Sequence, residues 1–198
     1  MQAAQRDRLT RAVVAAAAEH GYARLTIADV VQRAKVSRAA FYLHFTGKED
    51  CFLAASLVGR RLMIAHMVAA TRALPPDASA ELSLRLACRA FLRFLTDEPE
   101  FARVFYLELP TAGPLAVERI DQAQRRFARL NQVWHQRALL EHPTWPAVPE
   151  DAYRAAVGAT TELVRSVVHS GQMGALPDLE DTLVALHLAV LAGQPWAA

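Results

Sequence analysis

Only two cysteines occur in this sequence, Cys51 and Cys88, so no disulfide framework is available and a reducing compartment suits the chain. Cys51 would sense oxidants only if exposed with a lowered pKa, and an inert packed thiol is the default expectation. No apolar run reaches the roughly 18 residues needed to cross a bilayer. Leu183 to Gly193 comes nearest, and His187 interrupts it. The first residues, Met-Gln-Ala-Ala-Gln-Arg-Asp-Arg, lack an apolar stretch after a basic one and do not read as a secretory signal. No segment alternates apolar and polar residues long enough to demand a strand. Gly-rich phosphate loops, nucleophile elbows and supported carboxylate pairs are missing as well. His135, Glu141 and His142 have no further Cys or His at ligand spacing, and surface histidines explain them better than a metal site. These absences leave the expectation of a cytoplasmic protein that is not an enzyme, spans no membrane and holds no metal or cofactor.

What is present is helix, punctuated by Gly and Pro. The apolar periodicity predicts helices over 5–20, 27–34, 38–44, 48–73, 78–96, 98–108, 114–141, 150–172 and 178–192. Between them lie Gly21, Gly47, Pro75-Pro76, Pro99, Pro110, Gly113-Pro114, the stretch Pro143 to Pro149, and Gly174 to Pro177. With 198 residues and 53% apolar content the chain can bury a substantial core. The expected fold is all-α: an N-terminal three-helix domain over residues 1–47 and a larger helical domain over 48–198.

The most informative stretch runs from Leu25 to Glu49. Thr26 is an N-cap, and Asp29 at the third helical position completes a capping-box pattern. Ile27, Val30 and Val31 give the i, i+3, i+4 stripe of a short helix. Lys35-Val36 breaks it, and Ser37 caps a second short helix whose Ala40 and Phe41 point inward, with Phe45 as a further inward candidate. Two capped helices around so tight a turn make a helix-turn-helix, whose second helix enters the DNA major groove. Charge agrees with this. Residues 1–48 hold eight Lys or Arg against three acids, whereas the remaining 150 hold fourteen against seventeen. The positive balance sits where phosphates would be met.

Residue chemistry suggests a division of roles on this face. Arg38, just inside the N-cap, suits either a bidentate bond to guanine O6 and N7 or a phosphate contact. Ala39 offers a methyl to a thymine methyl. Lys48 opens the next helix behind a Thr46 or Gly47 cap, where backbone amides and an ammonium can hold a phosphate together. Thr26 can bond a phosphate as well as cap, and Lys35 in the turn can touch bases or backbone. Tyr42 lies one turn beyond Arg38 on the same face, and with Phe41 the better core residue it is expected to be a DNA contact and not a core aromatic.

A helix 5–20 followed by Gly-Tyr-Ala-Arg-Leu-Thr-Ile, then Val36-Ser37, Phe41-Tyr42-Leu43-His44-Phe45 and Lys48-Glu49, resembles the N-terminal domain of TetR/AcrR-family transcriptional regulators over residues 6–53. The resemblance implies a homodimer on a palindromic operator, usually a repressor, released when a small molecule binds the C-terminal domain. It implies that the Tyr42 hydroxyl and His44 meet phosphates, and that Ser37 belongs with the DNA-facing residues. A regulator without an effector, constitutive or activating, and a helical ligand-binding enzyme are the alternatives.

The larger domain carries two further expectations. One short reading helix reaches few bases, so two copies spaced about 34–36 Å are needed. Helices 150–172 and 178–192 supply a candidate dimer interface, the first through Ala155, Ala156, Gly158 and Ala159, the second through its nearly all-round apolar surface. An effector that is apolar or amphiphilic would sit among residues 51–148. The candidate lining residues are Met63, His66, Met67, Phe91, Phe105, Phe127, Asn131 and Trp134, although stripes at helical spacing are more often ordinary core.

Overall fold

Caps and breakers decide where the helices of this chain begin and end. The computed structural model describes residues 2–75 and 77–195, so of the Pro75-Pro76 break Pro76 lies outside the described residues. Nine α-helices are found among them: α1 Gln2–His20, α2 Ile27–Ala34, α3 Arg38–Tyr42, α4 Lys48–Arg72, α5 Ala80–Asp97, α6 Pro99–Arg103, α7 Pro114–Glu141, α8 Glu150–Ser170 and α9 Glu180–Ala192. No strand occurs among the described residues.

Two segments depart from the sequence expectation. Residues 98–108 do not form one helix. α6 gives way to a π-helical stretch, Val104–Glu108, in which the Leu109 amide bonds back to the Val104 carbonyl, and then to a 3₁₀ turn, Leu109–Thr111. Pro110 has no amide to offer, so it favours an end to regular helix here. Residues 177–179 likewise form a separate 3₁₀ turn ahead of α9.

The chain packs as two compact units. The first combines the described residues up to Leu62 with Glu98–Ile120; the second combines Met63–Asp97 with the described residues from Asp121 onward. The core of the first gathers Leu9, Val13 and Ala16 of α1, Val30 of α2, Phe41 of α3, Phe45, and Cys51 and Phe52 of α4. Val104 and Leu109, distant in sequence, complete it. Each of the buried phenylalanines contributes about 1.5–3 kcal/mol. In the second unit Ala128 of α7, Tyr153 and Val157 of α8 and Leu191 of α9 form one cluster, with Phe127 and Trp134 packed against it. The acidic start of α9 is held to α5 by Arg85 and Arg89, both bonded to Glu180.

α4 is long and apolar enough by composition to cross a membrane, with a mean hydropathy of 1.4 over its most apolar window. Its Cys51, Phe52, Ala55, Ser56 and Met63 are instead buried within the protein. Both thiols are buried, and burial pushes Cys51 and Cys88 up to about 12, which leaves neither of them a reactive thiolate near neutrality.

Candidate nucleic-acid interface

The short helices of the first unit are held by the bonds their sequence encodes. The Thr26 amide and hydroxyl both donate to Asp29 Oδ2, at 2.8 and 2.7 Å, while Thr26 Oγ1 accepts from the Asp29 amide at 3.3 Å. The hydroxyl and then the amide of Thr26 hold the Asp29 carboxyl below its usual range. The single Thr26 hydroxyl proton is thereby committed to Asp29, not to an outside acceptor. Ser37 differs: its Oγ accepts from the Ala40 amide at 3.0 Å, which leaves the hydroxyl proton uncommitted by the cap. Between the two helices Lys35 ends α2 in the left-handed region, φ 52° and ψ 49°, the only non-glycine with positive φ among the described residues. That backbone lets two helices meet in so short a turn.

α3 divides its side chains as the sequence suggests. Phe41 is fully buried, whereas Arg38 and Ala39 are exposed and Tyr42 is 49% exposed. Tyr42 is therefore not a core aromatic. Arg38 and Tyr42 share one face, with an Nη2 to hydroxyl distance of 3.5 Å and the guanidinium 5.9 Å from the ring centre. Leu43, which the sequence reading did not single out, is 76% exposed just beyond them. Nothing in the pattern marks it, since an apolar residue after a buried Phe reads as more core. His44 is half-buried, and its Nε2 lies 3.5 Å from Gln5 Oε1 of α1.

Lys48 is placed differently from a free phosphate ligand. Its ammonium donates to the Tyr22 carbonyl at 3.2 Å and the Leu25 carbonyl at 2.9 Å, and sits 4.8 Å from the Tyr22 ring centre. Two of its three protons thus hold the α1–α2 loop, leaving one for another acceptor. The same loop is gripped from the π-helical stretch, where Glu108 Oε2 accepts from the Tyr22 amide at 2.9 Å. Gly21, which ends α1 at φ +79°, faces that carboxylate closely: a Cβ there would lie 3.4 Å from Glu108 Oε2. Sequence reasoning missed Glu108, because a partner 86 positions away leaves no local signal. At the start of α4, Asp50 Oδ2 reaches back to the Thr46 amide and hydroxyl, the structural role expected of acids in a first turn.

Of the residues proposed for an effector site, three share one cleft. Met67, Asn131 and Trp134 line a cleft of about 220 Å³ in the second unit, together with Thr71, Ser83 and Leu130 among others. Met63 is fully buried, and Phe91 and Phe127 pack edge-to-face with ring centres 6.4 Å apart. His66 is exposed, beside the Phe94 ring at 5.3 Å. Phe105 lies in the first unit, stacked on Phe101.

The polar groups near the cleft have partners of their own. Trp134 Nε1 donates to the Ala80 carbonyl at 2.8 Å, while Glu141 accepts from the Ala80 amide at 2.8 Å and so caps α5. Asn131 Nδ2 lies 3.3 Å from His187 Nε2, and His187 Nδ1 is 2.8 Å from the Leu183 carbonyl. A carbonyl only accepts, so Nδ1 carries the proton of the neutral ring and Nε2 accepts from Asn131. Burial keeps His187 below its ordinary pKa and the ring neutral. His135 corrects the reading of it as a surface histidine. It is fully buried, with Nδ1 3.0 Å from the Tyr153 hydroxyl, because its position on α7 faces α8 instead of solvent.

Residues 9–55, most of this first-unit framework, match the model of the family described as bacterial regulatory proteins, tetR family. Comparison of the whole chain with solved structures finds the same fold. The fatty acid degradation regulator FadR from Bacillus halodurans is 18% identical, with a TM-score of 0.84 over 98% of this chain and 97% of that one. FadR from Bacillus subtilis, in complex with stearoyl-CoA, is 19% identical with a TM-score of 0.81, over 96% and 99% of the two chains. A TetR-like transcriptional regulator from Rhodococcus sp. RHA1 is 22% identical with a TM-score of 0.70, over 96% and 97%. No match was found among curated protein sequences. Residues 9–55 thus match the N-terminal domain of the bacterial regulatory proteins of the tetR family, and the chain as a whole shares the fold of these solved structures.

Proposed function

We propose that the protein is a cytoplasmic homodimeric repressor that leaves a palindromic operator when a small amphiphile binds its C-terminal helices. The observation that carries the DNA half is the exposed Arg38–Tyr42 face on a helix whose opposite side, Phe41, is wholly buried. Arg38 reads a base edge, Ala39 and Leu43 offer apolar contact to thymine methyls, and Ser37, Tyr42 and His44 meet phosphates. Lys35 and the remaining Lys48 proton add backbone contacts, while Thr26 acts mainly by capping. The functional boundary falls at the start of α4, with residues 1–47 as the reading head and 48–198 as the effector and dimer domain.

Dimerisation through α8 and α9 is supported by what one chain leaves uncovered. α9 buries Leu183, Val184, His187 and Leu191, while Ala185, Leu186 and Ala189 on its other side stay partly exposed. On α8, Ala155 and Gly158 are exposed, and a Cβ at Gly158 would meet nothing within 4 Å. Small residues there let a second copy approach closely.

The effector class is supported by the largely apolar cleft and by the stearoyl-CoA complex of the Bacillus subtilis neighbour. A volume of about 220 Å³ lies below the roughly 300–1,000 Å³ of ordinary ligand sites. Binding an acyl chain therefore requires the cleft to widen, and that widening is the displacement passed along α4 to Lys48 and the loop it holds. A ligand drives this only by binding the widened state more tightly than the DNA-bound one.

Selection of bound duplexes from random DNA tests the reading, followed by titration of the recovered palindrome with acyl-CoA esters. The expected result is one two-fold symmetric site, a dimer on it, and release by an ester. Arg38→Ala should relax preference at one position per half-site. Binding without sequence preference would refute the repressor reading, and operator affinity unchanged by saturating ester would refute that effector class.

A further inference from the structure

The face of α1 that packs the first unit does not stop where the core stops. Leu9, Val13 and Ala16 are fully buried on it. One turn toward the N-terminus the same face carries Arg6 and Gln5, at i−3 and i−4 from Leu9. Both side chains reach the far end of the reading helix. Gln5 Oε1 lies 3.5 Å from His44 Nε2, and the Arg6 guanidinium stands 5.1 Å from the centre of the Phe45 ring. Phe45 is buried at 3% exposure and so fixes the platform beneath that guanidinium. Arg6 itself is exposed, and no carboxylate pairs with it among the described residues.

We infer that Arg6 is a further DNA contact: an arginine of α1, seated on Phe45, that clamps a backbone phosphate beyond the one met by His44. A cation over an aromatic face is attracted to it and keeps its outward N–H groups free, which places a fixed positive fork at the edge of the reading head. Gln5 sets the neighbouring His44 ring and is a positioning residue, not a contact. Because the contact is to phosphate it carries no sequence information; it strengthens binding to every site and fixes how far α3 settles into the groove. The inference rests on the DNA-binding reading above.

The test measures binding of the selected palindrome against salt for the full chain, for Arg6→Gln and for Arg6→Lys. Each lost phosphate contact should reduce the slope of log K against log salt by about 0.9, hence by about 1.8 for a dimer. Arg6→Gln should show that reduction with its base preferences unchanged, and Arg6→Lys should restore most of the slope. If Arg6 serves only to pack Phe45, Arg6→Gln lowers the melting temperature and leaves the slope alone, which overturns the inference. If the unaltered chain binds no duplex at all, the DNA-binding reading itself has failed, an outcome distinct from the other two.

Discussion

Gly59 should be the least replaceable glycine in the chain, and the reason can be put as a distance. An added Cβ would lie 2.1 Å from Phe101 Cε2, 2.4 Å from Cδ2 and 2.9 Å from Cζ. Ordinary contact begins near 3.4 Å, so the ring would have to retreat by more than an ångström. It has little room, being 5% exposed and stacked on Phe105 with centres 5.5 Å apart. Two effects oppose each other in Gly59→Ala. Alanine inside α4 gains about 0.5–1 kcal/mol over glycine. Overpacking a filled site costs about 1–3 kcal/mol. The clash should win, with a net loss of about 1–2 kcal/mol. Urea denaturation of the single and double variants isolates the cause. Phe101→Ala alone should cost about 3–5 kcal/mol. In that background Gly59→Ala should turn neutral or stabilising by up to about 1 kcal/mol, since the obstacle is gone. An unchanged midpoint for Gly59→Ala, or the same cost with and without the Phe101 ring, would refute the steric account.

Thr26→Ala should cost about 1 kcal/mol by removing the cap of α2, read as a shift in denaturation midpoint; a loss of DNA affinity at unchanged stability would show that contact, not capping, is its main role. Lys35→Gly relieves a left-handed backbone and should stabilise by about 0.5–1 kcal/mol while weakening operator binding. If both quantities fall, the strain argument is wrong. Burial keeps His187 and His135 below their ordinary pKa, so unfolding takes up protons below about pH 6.5. Stability should be full above about pH 6.5 and decline as the pH falls below it. Denaturation at about pH 7.5 and about pH 5.5 should show the decline, with His187→Gln flattening it; equal stability of the unaltered chain at both would sink the assignment.

How much could be read in advance depended on how far apart the partners stand in the chain. Thr26 with Asp29, and Ser37 with Ala40, lie within one turn of each other, and their caps were legible as local patterns with partners three positions apart. The split between buried Phe41 and exposed Tyr42 followed from helical periodicity. Lys48 was placed correctly at the start of α4, but its acceptors at residues 22 and 25 were not, because carbonyls carry no sequence signature. The effector residues fared unevenly for the same reason. Periodicity says that Phe105 and Trp134 face a neighbour; it cannot say which, and they belong to different units. His135 looked superficial because its polarity was weighed without Tyr153, its hydrogen-bond partner on the next helix.

The π-helical stretch Val104–Glu108 gives the chain a spare residue. Each residue of an α-helix turns the next by about 100°, so one wound into a wider turn sets the rotational phase of everything beyond it. Deleting a single residue there would let the segment rewind as α-helix while swinging Glu108 away from the Tyr22 amide. Length changes at this point are thus cheap for the helix and costly for the loop that carries the reading head. The molecule is keyed by residue count as well as by residue type, and a designer shortening it by one position would detune it without breaking a single cap.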